Sequence, residues 1–232
     1  MQTEFRPGGY SSLPLIVKNL LIINGIVWLS QITIGTSLFP VDKTFALFYY
    51  ESPFFRPWQV LTYMFLHAPD DFFHLLFNMF ALWMFGSTLE NLWGPNRFLI
   101  FYLLCGLGAA LVHMGALWYD VEAVRRLWTE GAINDPSSFY AILNRPTMGA
   151  SGAVMGIFAA FAYTFPNSQL FILPIPFPVK AKWALAGLVV FDLIGGFSSS
   201  PSGVAHFAHV GGAVIGIILV LLWNRKSRST FY

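Results

Sequence analysis

Six apolar runs spread along the whole chain constrain it more than any other feature: about Leu13–Thr33, Asp71–Asn91, Arg97–Trp118, Ala150–Phe165, Lys182–Phe197 and Gly203–Trp223. A helix rises about 1.5 Å per residue and the bilayer hydrocarbon is about 30 Å thick, so about 20 apolar residues cross it. Hydrophobic residues make up 56% of the 232 and charged residues 10%, against roughly 25% charged in soluble domains. The expected fold is therefore all-α: a polytopic membrane protein of six transmembrane helices in a single domain, with a tail over 1–12, a core over 13–223 and a tail over 224–232. The fourth and fifth runs are short, about 16 residues or 24 Å. Pro166 ends the fourth, and Pro174, Pro176 and Pro178 keep the next connection extended. The first run lacks a short apolar stretch followed by a small-residue cleavage site and reads as a retained span.

Lys and Arg placement sets the orientation. One side holds Arg6, Lys18, Arg97, Lys180, Lys182, Arg225, Lys226 and Arg228; the other holds Lys43, Arg56, Arg125, Arg126 and Arg145, diluted by acids. The bias places both termini in the cytoplasm. A net charge of +2 gives no reason to expect nucleic acid, and the single cysteine, Cys105, excludes an internal disulfide and reads as packing. Two outer loops are long. In the first, about 34–70, the stretch Pro57–His67 is too short to span and too apolar for a free loop, which predicts a partly embedded helix. In the second, about 119–147, Val121–Trp128 reads as a short surface helix, followed by the polar run Asn134-Asp135-Pro136-Ser137-Ser138.

Polar residues inside spans are costly and mark function. His74 and Asn78, four apart, share one face of the second span, about 5–11 Å below the outer surface at the helical rise. His209 lies about 9 Å into the last span by the same rise. Ser151, within Gly149-Ala150-Ser151-Gly152, opens the short fourth helix, so its hydroxyl sits below the surface at a similar depth. Gly152 and Gly156 on the fourth span, and Gly212 and Gly216 on the sixth, form two small-residue faces that allow close approach. His209 shares the second face, so contact there brings imidazole and hydroxyl within about 3 Å, the reach of proton abstraction. His206 and His209 at i, i+3 lack the glutamate of H-E-x-x-H, so no metal is expected. His67 and His113 read as structural.

On these residues the chain resembles the rhomboid intramembrane serine proteases. The likeness runs from about Trp58 to Gly216 through the Trp58 segment, His74-Leu75-Leu76-Phe77-Asn78, Gly86, Leu89-Glu90, Gly94, Arg97-Phe98, the GASG serine and Ala208-His209 with its glycines. The resemblance implies a rhomboid six-helix bundle with an embedded first outer loop, Ser151 as nucleophile and His209 as general base. It implies an oxyanion site built from His74 and Asn78 with backbone at Gly149, Ala150 and the Ser151 N–H, and no cofactor. Substrates implied are single-pass transmembrane proteins, unwound locally before attack because a helix hides its carbonyls; lipids are the other partners. A lateral gate between the fifth span and the outer end of the second is implied as well. The bare core looks like a prokaryotic member of an inner membrane, with the active site opening outward. Three positions depart from the family pattern: Met155, in the pocket one turn after the serine, where many members have tyrosine; Trp58-Gln59, where Trp-Arg is frequent; and the long 119–147 loop. Asp192 reads as structural rather than as a third catalytic member, and Glu90 and Arg97 as ties between loops. A client-binding pseudoprotease and a small transporter lined by His74, Asn78 and Asp192 are the competing readings.

Overall fold

The computed structural model describes residues 10–35, 38–132, 135, 137–172, 176–197 and 205–228. Most of the first tail, Asn134 and Pro136 of the polar run, Pro174, Gly203 at the expected start of the last span, and residues 229–232 lie outside them.

In chain order the elements are α1 (Leu15–Thr33), α2 (Val41–Phe45), α3 (Gln59–Thr62) with a 3₁₀ turn over Tyr63–Phe65, α4 (Phe72–Ala81), a π-helical stretch over Leu82–Gly86, α5 (Ser87–Trp93), α6 (Pro95–Thr129), α7 (Ser137–Leu143), α8 (Ser151–Thr164), a two-residue ribbon of β1 (Gln169–Leu170) against β2 (Val179–Lys180), α9 (Ala181–Phe197) and α10 (His206–Arg228). The ribbon and an isolated antiparallel bridge between Leu47 and Thr147 are the departures from all-α among the described residues. Among the described residues, four helices are long and apolar enough to cross a membrane: Leu15–Thr33, Phe72–Trp93, Pro95–Thr129 and His206–Asn224. Of the six expected spans, α8 with 14 residues and α9 with 17 fall short by length; at the helical rise they reach about 21 and 25 Å.

One local expectation is corrected and one is narrowed. Val121–Trp128 is no separate surface helix: α6 runs unbroken for 35 residues to Thr129. Asp120 and Glu122 end the apolar pattern, but nothing there breaks a helix until Gly131, whose φ of 72° closes it. The helix expected in the first loop is present as α3 and its 3₁₀ turn, with Tyr63, Met64, Leu66 and His67 buried in the protein. Gln59, fully buried, holds this loop: its Oε1 accepts from Arg56 N at 3.0 Å and its Nε2 donates to Phe54 O at 3.0 Å.

The exterior is apolar, with Ile26, Phe77, Leu111, Trp183 and Ile194 exposed, while Asn24, Gln31, Glu90 and Asp192 are buried. That inside-out distribution suits a lipid solvent. Glu90 completes the start of α1 from another helix, its two oxygens accepting from Ile16 N at 2.9 Å and Val17 N at 2.8 Å; both donors are unsatisfied within α1 itself. Arg97 lies over the Trp223 ring, 4.4 Å from its centroid.

The glycine faces interlock at the bundle centre. A Cβ on Gly212 would collide with the Gly152 carbonyl; one on Gly216 would lie 2.5 Å from Gly156 O, and one on Gly156 2.5 Å from Cys105 Sγ on α6. The contact is backbone against backbone, so no rotamer change relieves it. Gly212→Ala is therefore expected to cost about 1–3 kcal/mol by overpacking and to lower the Tm in detergent, each kcal/mol being worth about 2–4 °C in a chain of this size. Gly187→Ala, where a Cβ meets nothing within 4 Å, is expected to leave the Tm unchanged. Equal melting of the two variants would contradict the packing described.

Candidate active site

The segment before α8 is placed by the first loop. Thr147 and Leu47 exchange backbone hydrogen bonds of 2.8 and 2.9 Å, and Gly149 N donates to Tyr63 O at 3.0 Å, while Tyr63 Oη is anchored on Gly106 O of α6 at 2.7 Å. Gly149 has φ 136°, a conformation that disfavours side chains, and a Cβ there would sit 3.0 Å from His74 Nε2 and 3.5 Å from Ser151 Oγ. This turn delivers Ser151 as the first residue of α8, where the opening N–H groups lack intrahelical acceptors and the helix dipole is positive.

Across the glycine contact, Ser151 Oγ lies 2.8 Å from His209 Nε2. His209 Nδ1 lies 3.0 Å from Asp192 Oδ1 on α9, and His206 Nδ1 is 2.8 Å from the same oxygen. The Asp192 side chain is 5% exposed and that of His209 19%, so the acid is the more deeply buried of the two, and both border the cavity. A carboxylate only accepts hydrogen bonds, so it selects the Nδ1–H form of His209 and leaves Nε2 free to accept the serine proton.

His74 lines the same cavity as Ser151 and His209. Its Nδ1 accepts from Ala68 N at 3.4 Å, which in a neutral ring puts the proton on Nε2, the atom that faces Gly149. His67 packs edge-on to this ring, 5.1 Å between centroids; burial, with His74 adding to it, pushes the His67 pKa down to about 3 and keeps that loop imidazole neutral. Asn78 lines the same cavity, but its Nδ2 donates to His74 O at 2.8 Å. One of its two amide hydrogens is thus spent on its own helix, and the sequence pattern alone did not reveal this. His113 bonds Thr147 Oγ1 at 2.8 Å through Nε2.

The cavity over these groups measures about 820 Å³, and Phe73, Phe77, Met155, Leu188 and Phe191 form its apolar lining. Of the residues singled out in sequence, Ser151, His209, His74, Asn78 and Met155 all border it, with Gly149 and Ala150 in the turn beneath. Asp192, expected to be structural, lies against the base, its Oδ1 3.0 Å from His209 Nδ1. The available signal was an acid within an apolar helix followed, on the next helix, by two histidines on one face. Among the described residues no group of three or more potential metal ligands is found.

Residues 55–226 match the Rhomboid domain family. Rhomboid protease AarA of Providencia stuartii is 30% identical over 215 residues, covering 90% of this chain and 72% of that protein. The chloroplastic Rhomboid-like protein 11 of Arabidopsis thaliana is 31% identical over 216 residues, 87% of this chain and 66% of its own length. The mitochondrial Rhomboid protein 1 of Saccharomyces cerevisiae is 30% identical over 149 residues, 64% of this chain but only 37% of that protein. With its apolar helices and this match over most of its length, the chain is an integral multi-pass membrane protein and belongs to the rhomboid family.

Proposed function

We propose that the protein is an intramembrane serine endopeptidase that cleaves transmembrane proteins through an acyl-enzyme. The observation that carries this reading is the 2.8 Å contact between Ser151 Oγ and His209 Nε2 at the floor of an open cavity. In the proposed reaction, Oγ attacks a peptide carbonyl as its proton passes to Nε2. The carbonyl oxygen becomes an anion met by the Ser151 and Ala150 N–H groups, in the turn that Gly149 shapes, by His74 Nε2–H and by the remaining amide hydrogen of Asn78. Donors of this kind are worth about 2.7–4 kcal/mol each in other oxyanion sites. The imidazolium then protonates the leaving amine, and water, deprotonated by the same nitrogen, hydrolyses the ester.

The same reading takes α8 and α9 as the short fourth and fifth of six spans, with both termini cytoplasmic and the cavity opening outward in a prokaryotic inner membrane. It takes single-pass proteins as substrates, entering between α9 and α4. Leu188 and Phe191 on α9 and Phe73 and Phe77 on α4 border the cavity from two sides, and α9 buries few of its side chains, which suits a lateral gate. Apolar walls favour an unwound, apolar stretch of substrate over a charged one.

Purified protein with a fluorogenic transmembrane substrate tests the proposal. Cleavage, and labelling by a fluorophosphonate, are expected in the parent chain and abolished by Ser151→Ala; His209→Ala is expected to abolish cleavage. Substrate binding without any cleavage would support a client-binding pseudoprotease instead. A second variant probes the turn: Gly149→Ala forces a strained backbone costing about 1–3 kcal/mol and crowds His74, so cleavage is expected to fall by on the order of 10²-fold, as for loss of one oxyanion donor. Undiminished kcat in that variant would remove Gly149 and His74 from the proposed oxyanion site.

A further inference from the structure

We infer that Arg145 is a specificity-determining residue that recognises an acidic side chain of the substrate, next to the scissile bond on its outer flank. The inference adds a substrate feature to the protease reading and rests on it. An exposed arginine in an outer loop is ordinarily a solvated charge, and three observations distinguish this one. First, Arg145 shares the lining of the cavity with Ser151 and His209, and among the described residues of that lining it is the sole lysine or arginine. Second, no acid among the described residues pairs with it, whereas nearby charges are spent: Arg125 bridges Glu51 at 2.5 Å and Glu122 at 3.2 Å. The carboxylates of the lining are spent too, since Asp71 Oδ1 accepts from His74 N at 3.1 Å and Asp192 Oδ1 meets two imidazoles. Third, the backbone is held on both sides of Arg145. Before it, Leu143 is buried with Tyr49, Leu117 and Val121, and Asn144 Oδ1 accepts from Ser52 Oγ at 2.8 Å. After it, Pro146 has a fixed φ, and Thr147 is bonded to Leu47 through its backbone and to His113 through Oγ1.

The long loop that departs from the family pattern thus ends in a cation whose position is set by the first loop, α6 and α7. Phe73, Phe77, Leu188 and Phe191 line the part of the cavity that suits an apolar stretch of substrate. A carboxylate drawn in among those rings would lose its water without gaining a partner, and is disfavoured. An unwound chain whose carbonyl reaches Ser151 leaves the cavity past its rim, where Arg145 is exposed. There a carboxylate keeps part of its hydration and accepts two N–H bonds from the planar guanidinium. Low-dielectric walls beside a single charge focus its field into the opening, and a backbone already fixed leaves little to order on binding. A lipid phosphate offers similar oxygens, but it belongs to the exterior of the bundle, whereas Arg145 borders the cavity that holds the nucleophile.

The test varies the charge of the substrate. The full chain in phosphatidylcholine vesicles is given fluorogenic transmembrane substrates that carry Asp, Asn or Lys at one position, scanned through the residues flanking the scissile bond on the outer side. At the position that meets Arg145, kcat/KM is expected to be about three- to tenfold higher for Asp than for Asn and lowest for Lys, with the contrast shrinking as salt is raised. Arg145→Gln is expected to bring Asp and Asn to within about 1.5-fold, and Arg145→Glu to reverse the order in favour of Lys. Arg126→Gln, which removes an exposed charge that is not part of the cavity lining, is expected to keep the contrast. No contrast at any scanned position, or one that survives Arg145→Gln, overturns the inference. Loss of the contrast in Arg126→Gln overturns it as well, because the summed field of the outer face then acts in place of one residue. Cleavage that follows the anionic-lipid content of the vesicles and ignores substrate charge also overturns it, assigning the guanidinium to a lipid phosphate. Binding gives a separate readout: the Ser151→Ala chain is expected to hold the Asp substrate several-fold more tightly than the Asn substrate, and Arg145→Gln in that background to remove the difference. A parent chain that cleaves nothing while this binding contrast holds refutes the protease reading and leaves recognition by Arg145 intact.

Discussion

The backbone contact between α8 and α10 is the constraint on which the rest depends. Two helices carrying side chains pack with axes about 8–10 Å apart; with glycine facing carbonyl, as Gly212 faces Gly152 and Gly216 faces Gly156, they close further. Only at that separation does an imidazole one turn above Gly212 reach a hydroxyl at the start of α8. In lipid there is no hydrophobic force to drive one apolar helix onto another, so fit of this kind carries much of the association. Structure and proposed chemistry thus share one cause: the glycines that let the bundle close also set the length of the Ser151–His209 bond.

A second constraint comes from outside the helices. Ser151 is positioned through Thr147 and Gly149, and these are bonded to Leu47 and Tyr63 of the first loop. Gln59 holds that loop internally as a neutral, fully satisfied group. A neutral amide suits this place, because an arginine there would bring a charge into a buried turn. The first loop therefore acts on the site through the backbone turn.

Much of this was legible in the chain. The apolar runs located the long helices, the paired glycines named the faces that meet, and the GASG turn and His209 marked the two groups now found 2.8 Å apart. Three things were not legible, each for a physical reason. The end of α6 was placed too early because charge ends a span and not a helix, and the residues after Trp118 favour helix as well as those before it. Asn78 was read as an open donor because residue type shows capacity, while its bond to the His74 carbonyl depends on a rotamer. The contact between Asp192 and His209 was not legible because sequence cannot tell which face of α9 meets α10. That depends on how the two helices pack, and the 14- and 17-residue separations from the two histidines carry no periodic signal across a turn.

The central claim is that one hydroxyl, one imidazole and a set of fixed donors form a single reactive centre beneath the surface of the bundle. Its most direct test is an experimental structure of the protein after reaction with a fluorophosphonate. The account predicts a covalent bond from Ser151 Oγ to phosphorus, with the phosphoryl oxygen turned toward the Ser151 N–H and His74 Nε2 within hydrogen-bonding distance. An adduct on another residue, or a phosphoryl oxygen directed away from both donors with His209 displaced from the serine, would contradict it.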